Sequence, residues 1–174
     1  MSISSKTMKE FVVRAADVLP GKWVVVGGSV LHLLDSGVRQ TEDIDLVGPP
    51  ESGQSETLKL MDLAESFGLP IEAINQAAAF FLFKIPGWET KLISVHQGRL
   101  GEFFRPNVEL YFELKLARHT EADIEDCLSY LDYTVTHAET FDLEKLELIC
   151  NHKLKSPKEA QSLQRILAGI DKYK

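Results

Sequence analysis

The sequence predicts an α+β protein: a short mixed β-sheet flanked by helices, followed by a helical C-terminal part. Three observations lead there. Apolar runs of strand length alternate with helix-period segments through residues 1–118. Residues 119–174 then carry helical patterns and no strand signal. No Gly-, Ser- or Pro-rich linker separates the two regions. The expected organisation is therefore a sheet-bearing core over 1–118 with a helical extension over 119–174 packed on it.

Along the chain, Met8, Phe11, Val12, Ala15 and Val18 recur at helical spacing between Ser4 and Leu19, and Pro20-Gly21 closes that helix. Trp23 to Val26 is a continuous apolar run, long enough only for a buried strand. Gly27-Gly28 breaks it, and Ser29 to Asp35 reads as a short helix ended by Ser36-Gly37. Asp43 to Val47 is the second strand, stopped by Gly48-Pro49-Pro50. Ser52 to Phe67 is helical, with Gly68 as its C-terminal cap. Pro70 to Ile74 is expected to be a short strand. Two strands, "AFFLFKI" and "TKLISVH", are expected around a Pro86-Gly87 turn. Val108 to Phe112 reads as one more strand, running into a helix near Lys115. Glu121–Leu131, Asp142–Lys153 and Pro157–Tyr173 are helices, with Asp142 and Ser156 as N-caps.

The bulk composition sets limits. With 174 residues, 44% apolar and 26% charged, the chain has enough core for one domain or one domain with an appendage, and is not a disordered polymer. Runs such as "AAAFFLF" are too short to span a bilayer, and "MSISSKTMKEF" lacks the layout of a signal peptide. A cytoplasmic location without a membrane partner is the expectation. The net charge of −7 excludes a general nucleic-acid-coating role but leaves room for a local basic patch. Cys127 and Cys150 lie in helical patterns without metal-ligand spacing, so reduced core thiols are expected.

One stretch stands out electrostatically. In "DIDLV", Asp43 and Asp45 alternate with Ile44 and Leu46. Strand side chains alternate faces, so the two acids share one face while Ile44 and Leu46 point to the core. Neighbouring carboxylates repel, and a divalent cation relieves that repulsion. Magnesium takes hard oxygen ligands and typically binds one or two carboxylates plus substrate phosphates. Two such ions can clamp both oxygens of an in-line phosphoryl displacement.

Just upstream, "VVVGGS" runs a strand into two glycines and a helix opened by Ser29. Backbone N–H groups at such a turn face outward and favour anions. The Ser29 hydroxyl can cap the helix or donate to a phosphate oxygen. Gly27, Gly28 and Ser29 with Asp43 and Asp45 read as a nucleoside triphosphate site. Neither a G-x-G-x-x-G fingerprint nor a Gly-Lys-Ser/Thr P-loop is present at the turn.

"GGS", thirteen residues and then "DID" resembles the signature of the DNA polymerase β-like nucleotidyltransferase superfamily. The longer string "VVVGGSVLHLLDSGVRQTEDIDLV" looks like a bacterial branch of small proteins related to the toxin halves of abortive-infection toxin–antitoxin pairs. Those often read R-x-T-x-D-I-D, here Arg39, Thr41, Asp43, Ile44 and Asp45. Later segments, "PGWETKL" and "ELKLARHTEADIEDCLSYL" among them, resemble that branch too, from residue 20 to about residue 150. The resemblance implies a nucleotidyltransferase fold and magnesium-dependent NMP transfer from an NTP to a hydroxyl on RNA, protein or a small molecule. An antitoxin is an implied partner. The superfamily also implies a third carboxylate, on the strand after the helix that follows Asp-x-Asp. By order that residue is Glu72, with Glu89 in reserve. The branch tends to carry aspartate and then tryptophan there, where this chain reads "IEAIN". Asp43, Asp45 and Glu72 are thus the expected catalytic and metal-binding set, and a two-ion site is the expectation. Gly27, Gly28, Ser29, Arg39 and Lys115 are the expected nucleotide contacts. The departure at Glu72 keeps a second reading open, a nucleotide-binding or protein-interaction module of the same fold without turnover.

Lys115, Asp123 and Asp126 have two readings, a cleft-facing group that includes a triphosphate contact or an exposed helix face with ion pairs. Arg118 and His119 share that ambiguity, and Arg39 could equally serve as a salt-bridge partner of the aspartates. His32 is expected to be a packing or surface residue. The basic run His152–Lys158 is expected to be a solvated loop, and Trp88 a packing residue.

Overall fold

The computed structural model describes residues 3–36, 40–118 and 120–174. The chain divides into two compact units, Met1–Pro106 and Asn107–Lys174. The first carries α1 (Ser5–Val18), β1 (Gly21–Val25), α2 (Gly27–Leu33), β2 (Ile44–Val47), α3 (Gln54–Ser66), β3 (Ile74–Asn75), α4 (Ala79–Leu82), β4 (Leu92–Gln97) and β5 (Gly101–Pro106). The strands form one five-stranded mixed sheet in the order β3-β2-β1-β5-β4. β1 pairs antiparallel with β2 and parallel with β5, while β2 and β3 are parallel and β4 and β5 antiparallel. The mixed sheet flanked by helices agrees with the fold class read from the sequence.

The centre of the sheet is where the sequence is most apolar. Trp23, Val24 and Val25 on β1 are buried in succession, as a strand covered on both faces requires. Trp23 stacks on Phe103 of β5 at 6.3 Å between ring centroids, and its indole N–H donates to the Pro20 carbonyl at 3.0 Å. α1 is capped by the Ser4 hydroxyl, which accepts from the Thr7 N–H, and buries Met8, Phe11, Val12, Ala15 and Ala16.

Several expectations are corrected. Residues 77–85 are not a strand: α4 covers Ala79–Leu82, with Leu82 buried while Phe80, Phe81 and Phe83 are exposed. The aromatic residues there favour strands in general, but no neighbouring strand pairs with the segment. Pro70–Ile74 is mostly a 3₁₀ turn over Ile71–Ala73, and β3 begins only at Ile74. β5 was not signalled at all, because Glu102 and Arg105 interrupt its apolar pattern. It nevertheless lies between β1 and β4. Its first residue must be glycine, since a Cβ on Gly101 would fall 2.2 Å from the Leu19 carbonyl oxygen.

The second unit is helical throughout: α5 (Val108–Lys115), α6 (Glu121–Thr136), α7 (Leu143–Lys153) and α8 (Ala160–Asp171), with a 3₁₀ turn at Pro157–Glu159. Val108–Phe112 is therefore helix, not strand. Asn107 caps it by accepting from the Leu110 N–H at 3.0 Å, which starts a helix in a segment whose apolar residues are buried on all sides. Asp142 caps α7 as expected, accepting from the Lys145 N–H. Tyr111 meets Tyr130 edge-on at 4.6 Å in a core that also holds Ile124, Leu131, Leu146 and Ile166.

Candidate active site

The site grows from the junction of β1, α2 and β2. Past the end of β1, the Val26 N–H donates to the Asp45 carbonyl at 3.0 Å, which carries the β1–β2 pairing up to the glycine turn. Gly27 then adopts φ +60° and opens α2. Glycine is required there twice over. The left-handed backbone disfavours other residues, and a Cβ at this position would lie 2.2 Å from Oδ2 of Asp45. The Asp45 carboxylate thus packs directly on the turn.

Ser29 fixes the same strand from below. It is fully buried, donates its hydroxyl to the Asp43 carbonyl at 3.1 Å and accepts from the Asp45 N–H at 2.9 Å. One hydroxyl therefore spans the backbone of both aspartates. In this arrangement the hydroxyl serves β2, while Gly27 and Gly28 at the turn are both half-buried.

Asp45 lies on β2 between the fully buried Ile44 and Leu46 and is itself half-exposed, the alternation expected of a strand with one face in the core. Asp43 is exposed and precedes the strand by one residue. In the parallel β2–β3 pair Asp45 stands opposite Asn75. The Asn75 amide donates to Oδ1 of Asp45 at 2.7 Å. Its own oxygen accepts from the Ala77 N–H at 3.0 Å, which sets the orientation of the amide.

Glu72 is exposed on the turn before β3, and Glu89 is exposed on the 3₁₀ turn Trp88–Lys91. Among the described residues, no group of three or more His, Cys, Asp and Glu side chains is placed to hold a metal ion. The β3 side chain beside Asp45 is Asn75, a residue the sequence reading passed over. Its signal was present in "IEAIN", but the register that selects the asparagine over the glutamate depends on where β3 begins.

In the second unit, Lys115 is buried. Its ammonium donates to Asp126 at 2.6 Å and to Asp123 at 3.3 Å. Arg118 adds a bond to Asp123 at 3.0 Å, and the Thr120 hydroxyl donates to the same carboxylate at 2.7 Å. Burial pushes the Asp123 carboxyl upward. The Thr120 hydroxyl, Lys115 and Arg118 together outweigh that and hold it below the ordinary aspartate value. Lys115 is thus committed to an ion network; the network is buried, whereas the ion-paired alternative read from the sequence is an exposed helix face. Arg39 and His119 lie outside the described residues. His32 is packed, with Nδ1 3.2 Å from the Gly28 carbonyl. Trp88 is half-buried with its ring 5.6 Å from that of Phe83.

A family model described as "Nucleotidyltransferase of unknown function (DUF6036)" matches residues 5–173. The chain belongs to this family. The match runs from α1 to past α8, so the helical unit is part of this nucleotidyltransferase pattern and not an addition to it. Membership brings a nucleotide as the substrate class and nucleotidyl transfer as the general activity. Comparison with curated proteins and with solved structures returned no match. Among the described residues no helix is long and apolar enough to cross a membrane.

Proposed function

We infer that this protein transfers a nucleoside monophosphate from an NTP to a hydroxyl acceptor, with Asp43 and Asp45 as the metal-binding acids. One observation carries the reading. In a chain matched along its length to a nucleotidyltransferase family, three separate devices hold one half-exposed carboxylate in place. The Asn75 amide, the missing side chain of Gly27 and the Ser29 hydroxyl all act on Asp45 or its backbone. Such preorganisation is what a charge-stabilising site needs.

The donor set suits magnesium delivered with a nucleotide. Two aspartates supply hard oxygens at the start of β2, and a triphosphate supplies the rest. When bound, magnesium would neutralise phosphate charge and polarise the α-phosphate. The chain's own residues do the remaining work. Asp45 anchors the nucleotide end of the site, and the Gly27–Gly28 backbone lets phosphate approach closely. The carboxylate nearest the acceptor takes the hydroxyl proton. The acceptor oxygen bonds to the α-phosphorus as the bond to the bridging oxygen breaks, and pyrophosphate leaves.

Asn75 beside Asp45 favours a second reading, nucleotide binding without turnover. One experiment separates the two. The protein is incubated with magnesium and each α-labelled NTP, with cellular RNA and protein as acceptors. Transfer predicts a labelled acceptor in the parent and none in Asp43→Asn/Asp45→Asn. Binding alone predicts retained nucleotide and no labelled product. A toxin role with a co-expressed antitoxin extends the first reading, and the identity of the labelled acceptor tests it.

A further inference from the structure

The sheet sets an amide directly against Asp45. Asp45 and Asn75 are register partners, and the Asn75 amide donates to Oδ1 of Asp45 at 2.7 Å. The amide cannot turn over without setting its oxygen against the Asp45 carboxylate and its NH₂ against the Ala77 N–H. Glu72, three residues earlier, is exposed on the preceding turn, and β3 has only two residues, Ile74 and Asn75.

We propose that Asn75 occupies the third-acid position of this site and acts as a positioning residue for Asp45. It aims the carboxylate through one oxygen and adds no charge. The donor set stays at two acids, and cation affinity remains weak until a nucleotide supplies further oxygens. This rests on nucleotidyl transfer at Asp43 and Asp45. A neutral amide stabilises the metal-free arrangement, because it donates to the carboxylate and does not repel it. An acid at the same position would face Asp45 within hydrogen-bonding distance and repel it until a cation lay between them.

The test is Asn75→Asp, read by titration with Mn²⁺ alone and followed by the electron paramagnetic resonance of the free ion. The variant is expected to bind Mn²⁺ at least about tenfold more tightly than the parent. The gain should vanish in Asp45→Asn/Asn75→Asp, since both acids must act together. Thermal unfolding supplies a second readout. Asn75→Asp should melt below the parent in chelator and recover when Mn²⁺ is added, whereas the parent shifts little. The assignment is overturned if Asn75→Asp titrates like the parent, if its gain survives loss of Asp45, or if it stays unfolded with Mn²⁺ present. The two readings fail differently. Equal binding of Mn²⁺–NTP by the parent and Asp45→Asn removes the Asp43–Asp45 site itself. Loss of that binding in Asp45→Asn, with Asn75→Asp unchanged from the parent, removes only the role given to Asn75.

Discussion

A Cβ built on Gly27 would lie 2.2 Å from Oδ2 of Asp45, closer than any real side-chain contact. The glycine turn and the aspartate are therefore one structural unit, although seventeen residues lie between them in the sequence. Gly27→Ala should displace the Asp45 carboxylate and strain a backbone at φ +60°. A loss of more than about 1 kcal/mol of stability is expected, together with loss of nucleotide binding. Chemical denaturation and a nucleotide titration on the same preparation check both. Gly28 lies inside α2 and is not among the glycines with positive φ, so Gly28→Ala should carry less backbone strain.

Ser29→Ala removes the hydroxyl that bonds to the backbone of both aspartates. The Asp45 N–H then loses its acceptor in a part-buried setting. A cost of about 1–3 kcal/mol follows from leaving a buried donor unmatched. Urea denaturation measures it. A phosphate-binding role for the hydroxyl would instead lower nucleotide affinity and leave stability near the parent value.

Sequence and structure agree where pattern and packing act together. The β1 run, the Asp142 cap and the burial of Ile44 and Leu46 on either side of Asp45 are all local signals reinforced by burial. The turn at Gly27 was legible because glycine chemistry is local. What was not legible depended on pairing. Glu102 and Arg105 masked β5, which is held by two neighbouring strands. Three phenylalanines suggested a strand where none of the strands among the described residues pairs with the segment. Which β3 side chain stands beside Asp45 turned on the register of a two-residue strand, which no periodicity encodes.

The buried network around Lys115 should dominate the stability of the helical unit. Lys115→Met leaves the Asp126 carboxylate, wholly inside the protein, without its 2.6 Å partner. Removal of one member of a buried pair costs about 3–5 kcal/mol. Thermal unfolding checks the size of the loss. Were Lys115 chiefly a phosphate contact, the variant would lose nucleotide affinity and keep its melting temperature.

Acid should weaken the same network. The Asp123 carboxyl is held below its ordinary value, so its contribution is fully present above the unfolded value of about 4 and is lost as pH falls through the folded value. The stability difference between the parent and Asp123→Asn should therefore shrink as the pH drops below about 4. Urea midpoints for both proteins across that range give the comparison.

Both thiols should be inert in the folded chain. Burial pushes the Cys127 thiol well above its ordinary value, and burial together with Glu147 pushes Cys150 up to about 12. A thiol reagent at neutral pH should label neither cysteine in the native protein and both after denaturation.

The proposed nucleotidyl transfer depends most on Asp45. The most direct measurement is pyrophosphate release from NTP and magnesium with acceptor present, compared between the parent and Asp45→Asn at matched circular dichroism. Release by the parent that stops with chelator and is absent in Asp45→Asn is the predicted result. Equal release by the two proteins would contradict it.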